Sequence, residues 1–167
     1  MLLHMIGDFE RIGDHAANIL EVSKEMADKN ISFSEEAKQE LKVFADALSE
    51  ILELSVTAFE NEDVEAAKRV EPLEQVIDAI KDTLRARHIS RLQKGDCTIE
   101  LGFIFSDLLT NYERVSDHCS NIAIALIEIQ QKKTLDAHTY LNTLKNTFQP
   151  EYVEMFNSYA EKYKIGE

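Results

Sequence analysis

Glycine, proline, tryptophan and cysteine are scarce in this chain of 167 residues. Five glycines, two prolines and no tryptophan are too few for the many tight turns of a β-sandwich or barrel. No Ser/Gly/Pro-rich linker or low-complexity tract interrupts the chain. The composition therefore favours long continuous helices, and a chain of this length can bury one sizeable core without disulfides or a structural metal.

Long apolar runs and disulfide patterns are also absent. The longest apolar run, 122–127, is much shorter than the roughly 18 residues that a membrane span needs. Cys97 and Cys119 lack CxxC spacing and do not form the dense framework of a secreted disulfide scaffold. No basic leader precedes the first acidic residues, as a signal peptide would require. We therefore expect a soluble, cytoplasmic chain with reduced thiols.

Basic residues are few relative to acidic ones. The chain has 18 Lys and Arg against 31 Asp and Glu, which gives a formal charge of −13 at pH 7. Such a charge repels nucleic acid and anionic lipid unless a basic patch exists, and no such patch is visible in the sequence. We expect no nucleic-acid partner, and we expect free phosphate to be repelled unless a bound cation intervenes.

Apolar residues recur at alternating spacings of four and three, the pattern of packed helices. The pattern predicts four long helices at about 1–29, 34–60, 63–93 and 97–131 and two shorter ones at about 136–147 and 150–163. Short connections between long helices make neighbours antiparallel. The expected fold is all-α, an antiparallel up-down helical bundle over 1–133 with a helical extension over 134–167 that braces it.

Several residues predict where helices begin, end or bend. Ser32 with Glu35 has the spacing of a capping box. Gly95 followed by Asp96 predicts the end of the third helix and the N-cap of the fourth. Pro72 lies inside the third helix, where it should kink or restart it. Because helical spacing is already present at Leu2 with no N-cap before it, we expect the chain to be part of a longer protein.

A polar motif occurs twice, 103 residues apart. The segments DFERIGDHAANI (8–19) and NYERVSDHCSNI (111–122) share six of twelve residues, which indicates an internal repeat. Each copy contains a Glu and an Asp at i, i+4 spacing, and a third such pair follows Pro72. Helix lengths and a rise of about 1.5 Å per residue predict that all three pairs lie at one level of the bundle. These pairs are Glu10 with Asp14, Glu74 with Asp78, and Glu113 with Asp117.

Two interpretations of the acidic pairs remain open. Six carboxylates at one height repel one another unless cations bind, and an oxygen-rich site without cysteine suits Mg, Mn, Fe or Ca better than Zn. Alternatively, Arg11 and Arg114 pair with these acids in salt bridges between helices. Spacing alone favours the ion pairs, since exposed acids are common in so acidic a chain, whereas the threefold recurrence favours the metal.

The other side chains of the motif also have two readings. His15 and His118 follow the Asp residues by one position, so each could bind a metal or close a polar groove by hydrogen bonding. Cys119 falls on the apolar face and is expected to be a small buried hydrophobe. The stretch 88–92, HISRL, is expected to be the basic end of the third helix, where cations favour the helix dipole.

The segments FERIGDH and YERVSDH, each followed by Asn-Ile, resemble the signature of the PhoU family. The likeness extends to the third acidic pair and to the stretch LRARHISRLQKGDC, which is similar to the PhoU-like cytosolic tail domain of bacterial sodium/phosphate cotransporters. The resemblance implies three-helix repeats, regulation of phosphate uptake rather than catalysis, and clusters of divalent or trivalent metal ions such as iron. Carried over by residue, it implies one complete metal site formed by Glu74, Asp78, Glu113 and Asp117.

The resemblance also implies that the first helix is the last helix of a preceding repeat, with Glu10 and Asp14 belonging to that repeat's metal site. The expected partner is a membrane transporter portion or another phosphate-transport or signalling protein, at the cytosolic face of the inner membrane. A first helix without its repeat mates suggests a homo-oligomer. Two other functions stay open: a metal-free helical interaction bundle, and a di-metal carboxylate enzyme, whose Glu-x-x-His pairs the chain lacks.

Overall fold

The computed structural model describes residues 2–131 and 150–166, and it is helical as the sequence predicts. The helices are α1 (Leu2–Asp28), α2 (Glu35–Asn61), α3 (Val64–Lys94), α4 (Ile99–Gln131) and α5 (Pro150–Lys162). The all-α prediction is confirmed, and the helix bounds agree with the apolar spacing to within about two residues, the usual uncertainty of helix ends. The helix expected at 136–147 lies outside the described residues.

Helices α2, α3 and α4 pack together and enclose the core. Helix α1 packs mainly against α4, and α5 packs against α3. Contacts between the start of α2 and the end of α3, and between the start of α3 and the end of α4, make these neighbours antiparallel. Side chains that are almost inaccessible to solvent line the enclosed space: Phe44, Ile51, Leu73, Ile77, Leu84, Phe105, Leu109 and Ile122.

The helix ends differ in part from the predicted ones. Ser34, not Ser32, caps α2, because its hydroxyl accepts from the backbone N–H of Ala37 at 3.2 Å. Gly95 ends α3 as predicted, with φ +78°, a left-handed conformation that glycine adopts without steric cost. Helix α4 begins only at Ile99, where the Thr98 hydroxyl accepts from Leu101 N–H at 3.2 Å; Asp96 is therefore not the N-cap.

Helix α3 continues without interruption through Pro72. Of the two expected effects of this proline, a kink or a restart, the restart does not occur. Proline lacks an N–H, so it removes one backbone hydrogen bond to the preceding turn, yet Val70 and Leu73 on either side are fully buried. Packing of these neighbours against the core holds the helix together across the missing bond.

The outward side of α1 near its start is apolar and exposed. Leu2, Leu3 and Ile6 are 60%, 82% and 55% accessible. None of the described helices is both long and apolar enough to pass through a bilayer. These three residues, here called the apolar patch (Leu2, Leu3 and Ile6), lie on the surface of α1.

Candidate functional site: the motif clasp and the acidic face

The two copies of the motif lie side by side and hold each other. Asn111, the first residue of the second copy, accepts hydrogen bonds at its Oδ1 from His15 Nδ1 (2.9 Å) and Asn18 Nδ2 (3.2 Å). Reciprocally, Asp8, the first residue of the first copy, accepts at its Oδ1 from His118 Nδ1 (2.8 Å) and Asn121 Nδ2 (3.3 Å). This reciprocal arrangement, here called the motif clasp, joins α1 to α4.

The two histidine rings of the motif clasp also stack on each other. Their centroids are 5.7 Å apart and the rings are inclined by 27°. Both Nδ1 atoms are engaged by the other copy, so each histidine serves to close a polar groove between helices. The geometry thus supports the interpretation that His15 and His118 form hydrogen bonds. The His and Asn that the two copies share are explained by their hydrogen bonds in the motif clasp.

The acidic pairs of α3 and α4 come together on one face of the bundle, as the level estimate predicts. Lys81, one turn after Asp78, places its Nζ 2.6 Å from Asp78 Oδ1 and 2.6 Å from Glu113 Oε1. Although burial opposes the charge, these two hydrogen bonds raise the pKa of Lys81. Lys81 is only 7% exposed, and its ammonium group bridges α3 and α4.

The acidic face consists of four carboxylates: Glu74, Asp78, Glu113 and Asp117. The two that Lys81 does not contact, Glu74 and Asp117, repel each other. Burial and the neighbouring charge of Glu71 raise the pKa of Glu74 to about 7. Burial and Glu113 likewise raise the pKa of Asp117. Glu74 accepts a hydrogen bond from Gln75 Nε2 at 2.6 Å, which offsets only part of this cost. Lys81 thus compensates Asp78 and Glu113, and Arg114 pairs with Asp117. No Lys or Arg among the described residues forms an ion pair with Glu74.

Two further groups border the acidic face. Ser120 Oγ donates to Glu71 Oε2 at 2.7 Å, a buried link between α3 and α4. Burial, together with the charges of Glu71 and Glu74, raises the pKa of the Tyr152 hydroxyl. Helix α5 therefore brings a neutral phenol close to Glu71 and Glu74, although the sequence alone predicts only that this segment braces the bundle.

Glu10 and Asp14 do not join the acidic face. Both are exposed on α1, and neither pairs with another side chain in the described part of the structure. Arg114 does bind Asp117, at 3.3 Å, but within α4, so the expected arginine bridges between helices are wrong. Lys81 forms the inter-helix bridge instead, and sequence reasoning missed it because a lysine three residues after an aspartate is an ordinary surface pattern.

The fit of this face to a metal ion can be tested on its donor set. Asp78 and Glu113 already share the Lys81 ammonium, which leaves Glu74 and Asp117. Within residues 2–131 and 150–166, no group of three or more His, Cys, Asp or Glu is arranged to hold one ion. In this arrangement the residues do not fit a metal, and the predicted ligation by Glu74, Asp78, Glu113, Asp117, Glu10 and Asp14 stays a prediction.

A buried ion pair next to the end of α3 was also missed. Arg91 binds Glu40 of α2 through two nitrogens, at 3.1 and 2.8 Å, and both residues are buried. Arg91 also lies over the Phe105 ring, 5.6 Å from its centroid. The stretch expected to be simply a basic helix end is therefore part of the packing among α2, α3 and α4.

Comparison with known proteins agrees with this architecture. The sequence model of the PhoU domain matches residues 41–126, which span most of α2, α3 and α4. The chain is 30% identical over 134 residues to the phosphate-specific transport system accessory protein PhoU homolog 1 of Thermotoga maritima, covering 80% of this chain and 57% of that protein. It is 27% identical over 124 residues to an uncharacterized protein of Deinococcus radiodurans, covering 74% and 44%.

The chain thus spans about half the length of these two relatives. No solved structure matches it significantly. The domain match covers more than half of the residues, and it contains the acidic face and the second copy of the motif. The chain therefore belongs to the PhoU family.

Proposed function

We propose that this chain is a regulatory domain of phosphate transport that acts by binding a protein of the transport system and has no catalytic role of its own. The observation that carries the proposal is membership of the PhoU family together with the relative from Thermotoga maritima, whose name assigns it to a phosphate-specific transport system. The polar groups of the motif support it, since they hold helices together rather than forming a nucleophile with a base.

The proposed partner is the membrane portion of a phosphate transporter, such as a sodium/phosphate symporter, or a protein that controls it. The site of action is then the cytosolic face of the inner membrane. The apolar patch of Leu2, Leu3 and Ile6 suits such a contact, because exposed apolar clusters on an otherwise charged surface mark interaction sites. The charge of −13 keeps the rest of the surface away from anionic lipid.

We infer that Lys81, rather than a metal ion, supplies the positive charge of the acidic face. Its ammonium lies at hydrogen-bond distance from both Asp78 and Glu113, and a divalent ion would have to displace it. A metal-free regulatory bundle is therefore the form of the function that the geometry favours. Binding of iron, manganese or magnesium is the alternative, and it is tested separately below.

Phosphate uptake by cells tests the proposed function. In a host that lacks the full protein, we expect radiolabelled phosphate uptake to stay high when external phosphate is abundant, and expression of the protein to restore its restriction. The double variant L3E/I6E should fold but fail to restore it, because charge at the apolar patch weakens docking. The control V153E alters an apolar position of α5 that is also exposed. Equal uptake with and without the protein would contradict the proposal.

A further inference from the structure

A cavity of about 430 Å³ lies between the last turns of α3 and the first turns of α4. Its volume falls within the roughly 300–1,000 Å³ of small-molecule sites. The walls are mostly apolar, and two of the residues at its mouth, Ile99 and Phe103, are 75% and 74% exposed. Exposed aromatic and branched side chains around an apolar cavity are a feature of ligand sites.

His88 lines this cavity and lacks the partners that a buried imidazole normally has. The residue is 5% exposed, and within the described part of the chain neither ring nitrogen has a hydrogen-bond partner. The ring stacks on Phe105 with centroids 4.4 Å apart. Burial, followed by the nearby Arg91, lowers its pKa, so at neutral pH it is uncharged, with one N–H donor and one acceptor nitrogen.

A buried imidazole without a hydrogen-bond partner lowers the stability of the folded protein, and packing alone gives no reason for it. Most buried polar side chains have a partner, and those without one indicate a missing water, ion or ligand. The packing around the ring is close, since a Cβ added at Gly102 would lie 3.3 Å from His88 Nε2. Helix α4 thus approaches the histidine through a glycine, while the cavity opens beside it.

Arg85 supplies a charge at the same cavity. It lines the space, is exposed, and makes no ion pair or hydrogen bond with any described residue, although acids greatly outnumber bases in the chain. Arg85 and His88 are three residues apart on α3, so their side chains lie on one face with Cβ atoms about 5–6 Å apart. One carboxylate in the cavity can therefore pair with Arg85. It meets a His88 nitrogen when the ring turns towards the cavity, since both ring nitrogens are closed to solvent in this structure.

We propose that this cavity binds a small amphipathic carboxylic acid. Its apolar chain lies against Ile99, Phe103 and Leu109, and its carboxylate accepts hydrogen bonds from the His88 N–H and the Arg85 guanidinium. A planar guanidinium and a carboxylate form a paired, charge-assisted contact, and the imidazole gains the partner that it lacks. The site is separate from the motif clasp and the acidic face, and it does not depend on the proposed role in phosphate transport.

Calorimetric titration with decanoate below its micellar concentration tests the proposal, with decan-1-ol as the uncharged counterpart. We expect 1:1 binding of decanoate that is about tenfold tighter than that of the alcohol, in proportion to one charge-assisted hydrogen bond. The variant R85Q should abolish this preference and leave binding of the alcohol unchanged. R11Q removes an exposed arginine elsewhere and should bind decanoate as the unchanged protein does.

The variant H88F keeps the ring stacked on Phe105 and removes both nitrogens. It should weaken decanoate and decan-1-ol alike by about tenfold, the value of one buried hydrogen bond, while circular dichroism shows unchanged helix content. In the unchanged protein, nitrogen NMR should show the His88 ring signals shifting on addition of decanoate. The proposal would be overturned if decanoate showed no saturable binding, if H88F left its binding unaltered, or if the His88 ring signals did not shift. Each of these outcomes is independent of the uptake experiment.

Discussion

At the scale of the residue, Glu74 is a carboxyl group whose surroundings oppose its ionisation. Burial and the charge of Glu71 raise its pKa from 4.5 to about 7. Because the folded chain holds this proton more tightly than the unfolded chain, the free energy of unfolding should fall as pH rises from about 4.5 to 7 and then level off. A shift of this size corresponds to about 3 kcal/mol at most.

The variant E74Q should remove this dependence, since an amide keeps the shape and carries no charge. Urea unfolding at pH 4.5, 6 and 8 measures the difference between variant and unchanged protein, in which the other titrating groups largely cancel. We expect equal stability at pH 4.5 and a variant more stable by about 2 kcal/mol at pH 8. E10Q, at an exposed glutamate of the first motif, should show no such trend. A difference that is constant with pH would contradict the assigned environment of Glu74.

Lys81 gives a second prediction at this scale. In K81M, Asp78 and Glu113 lose their shared cation, so the acidic face should acquire affinity for a hard divalent ion. We expect calorimetry to show 1:1 Mn²⁺ binding to K81M at least about tenfold tighter than to the unchanged protein, by loss of ammonium competition. K42M, at an exposed lysine that pairs with Asp46, should resemble the unchanged protein.

Metal already bound to the unchanged protein would favour the metal alternative. If protein purified without chelator contains stoichiometric iron or manganese by elemental analysis, and E113A with D117A removes it, the ammonium does not occupy the site in solution. Elemental analysis of the purified protein therefore distinguishes an acidic face whose charge Lys81 compensates from one whose charge a metal ion compensates.

At the scale of the element, apolar periodicity was enough to predict the helices, because each helix must bury one continuous face. It could not predict their N-caps, although glycine chemistry did predict the C-cap Gly95. Ser32 and Ser34 offer the same hydroxyl chemistry, and only the path of the chain decides which oxygen reaches the N–H of Ala37. Thr98 in place of Asp96 is the same kind of error, since both residues can cap a helix.

The contacts between helices were harder to foresee than the helices themselves. Sequence order suggests that a helix packs beside its neighbour, whereas α1 packs mainly on α4. The motif clasp depends on that placement, since it joins α1 to α4. The repeat revealed that two copies exist, and equal helix lengths revealed that the α3 and α4 acids share a level, but neither shows which side chain faces which.

At the scale of the whole molecule, no described helix of the same chain covers the apolar patch at the start of α1. When the transport partner is absent, we expect two chains to form a homodimer through the same apolar patch, in concentration-dependent exchange that size-exclusion chromatography with light scattering can measure. Each chain carries −13, so like charges oppose association and salt should strengthen the dimer by screening them. L3E/I6E should be monomeric at all salt concentrations, and V153E should behave as the unchanged protein. A monomer at every concentration, or a dimer that survives L3E/I6E, would assign the patch to another partner and leave the docking role tested by phosphate uptake intact.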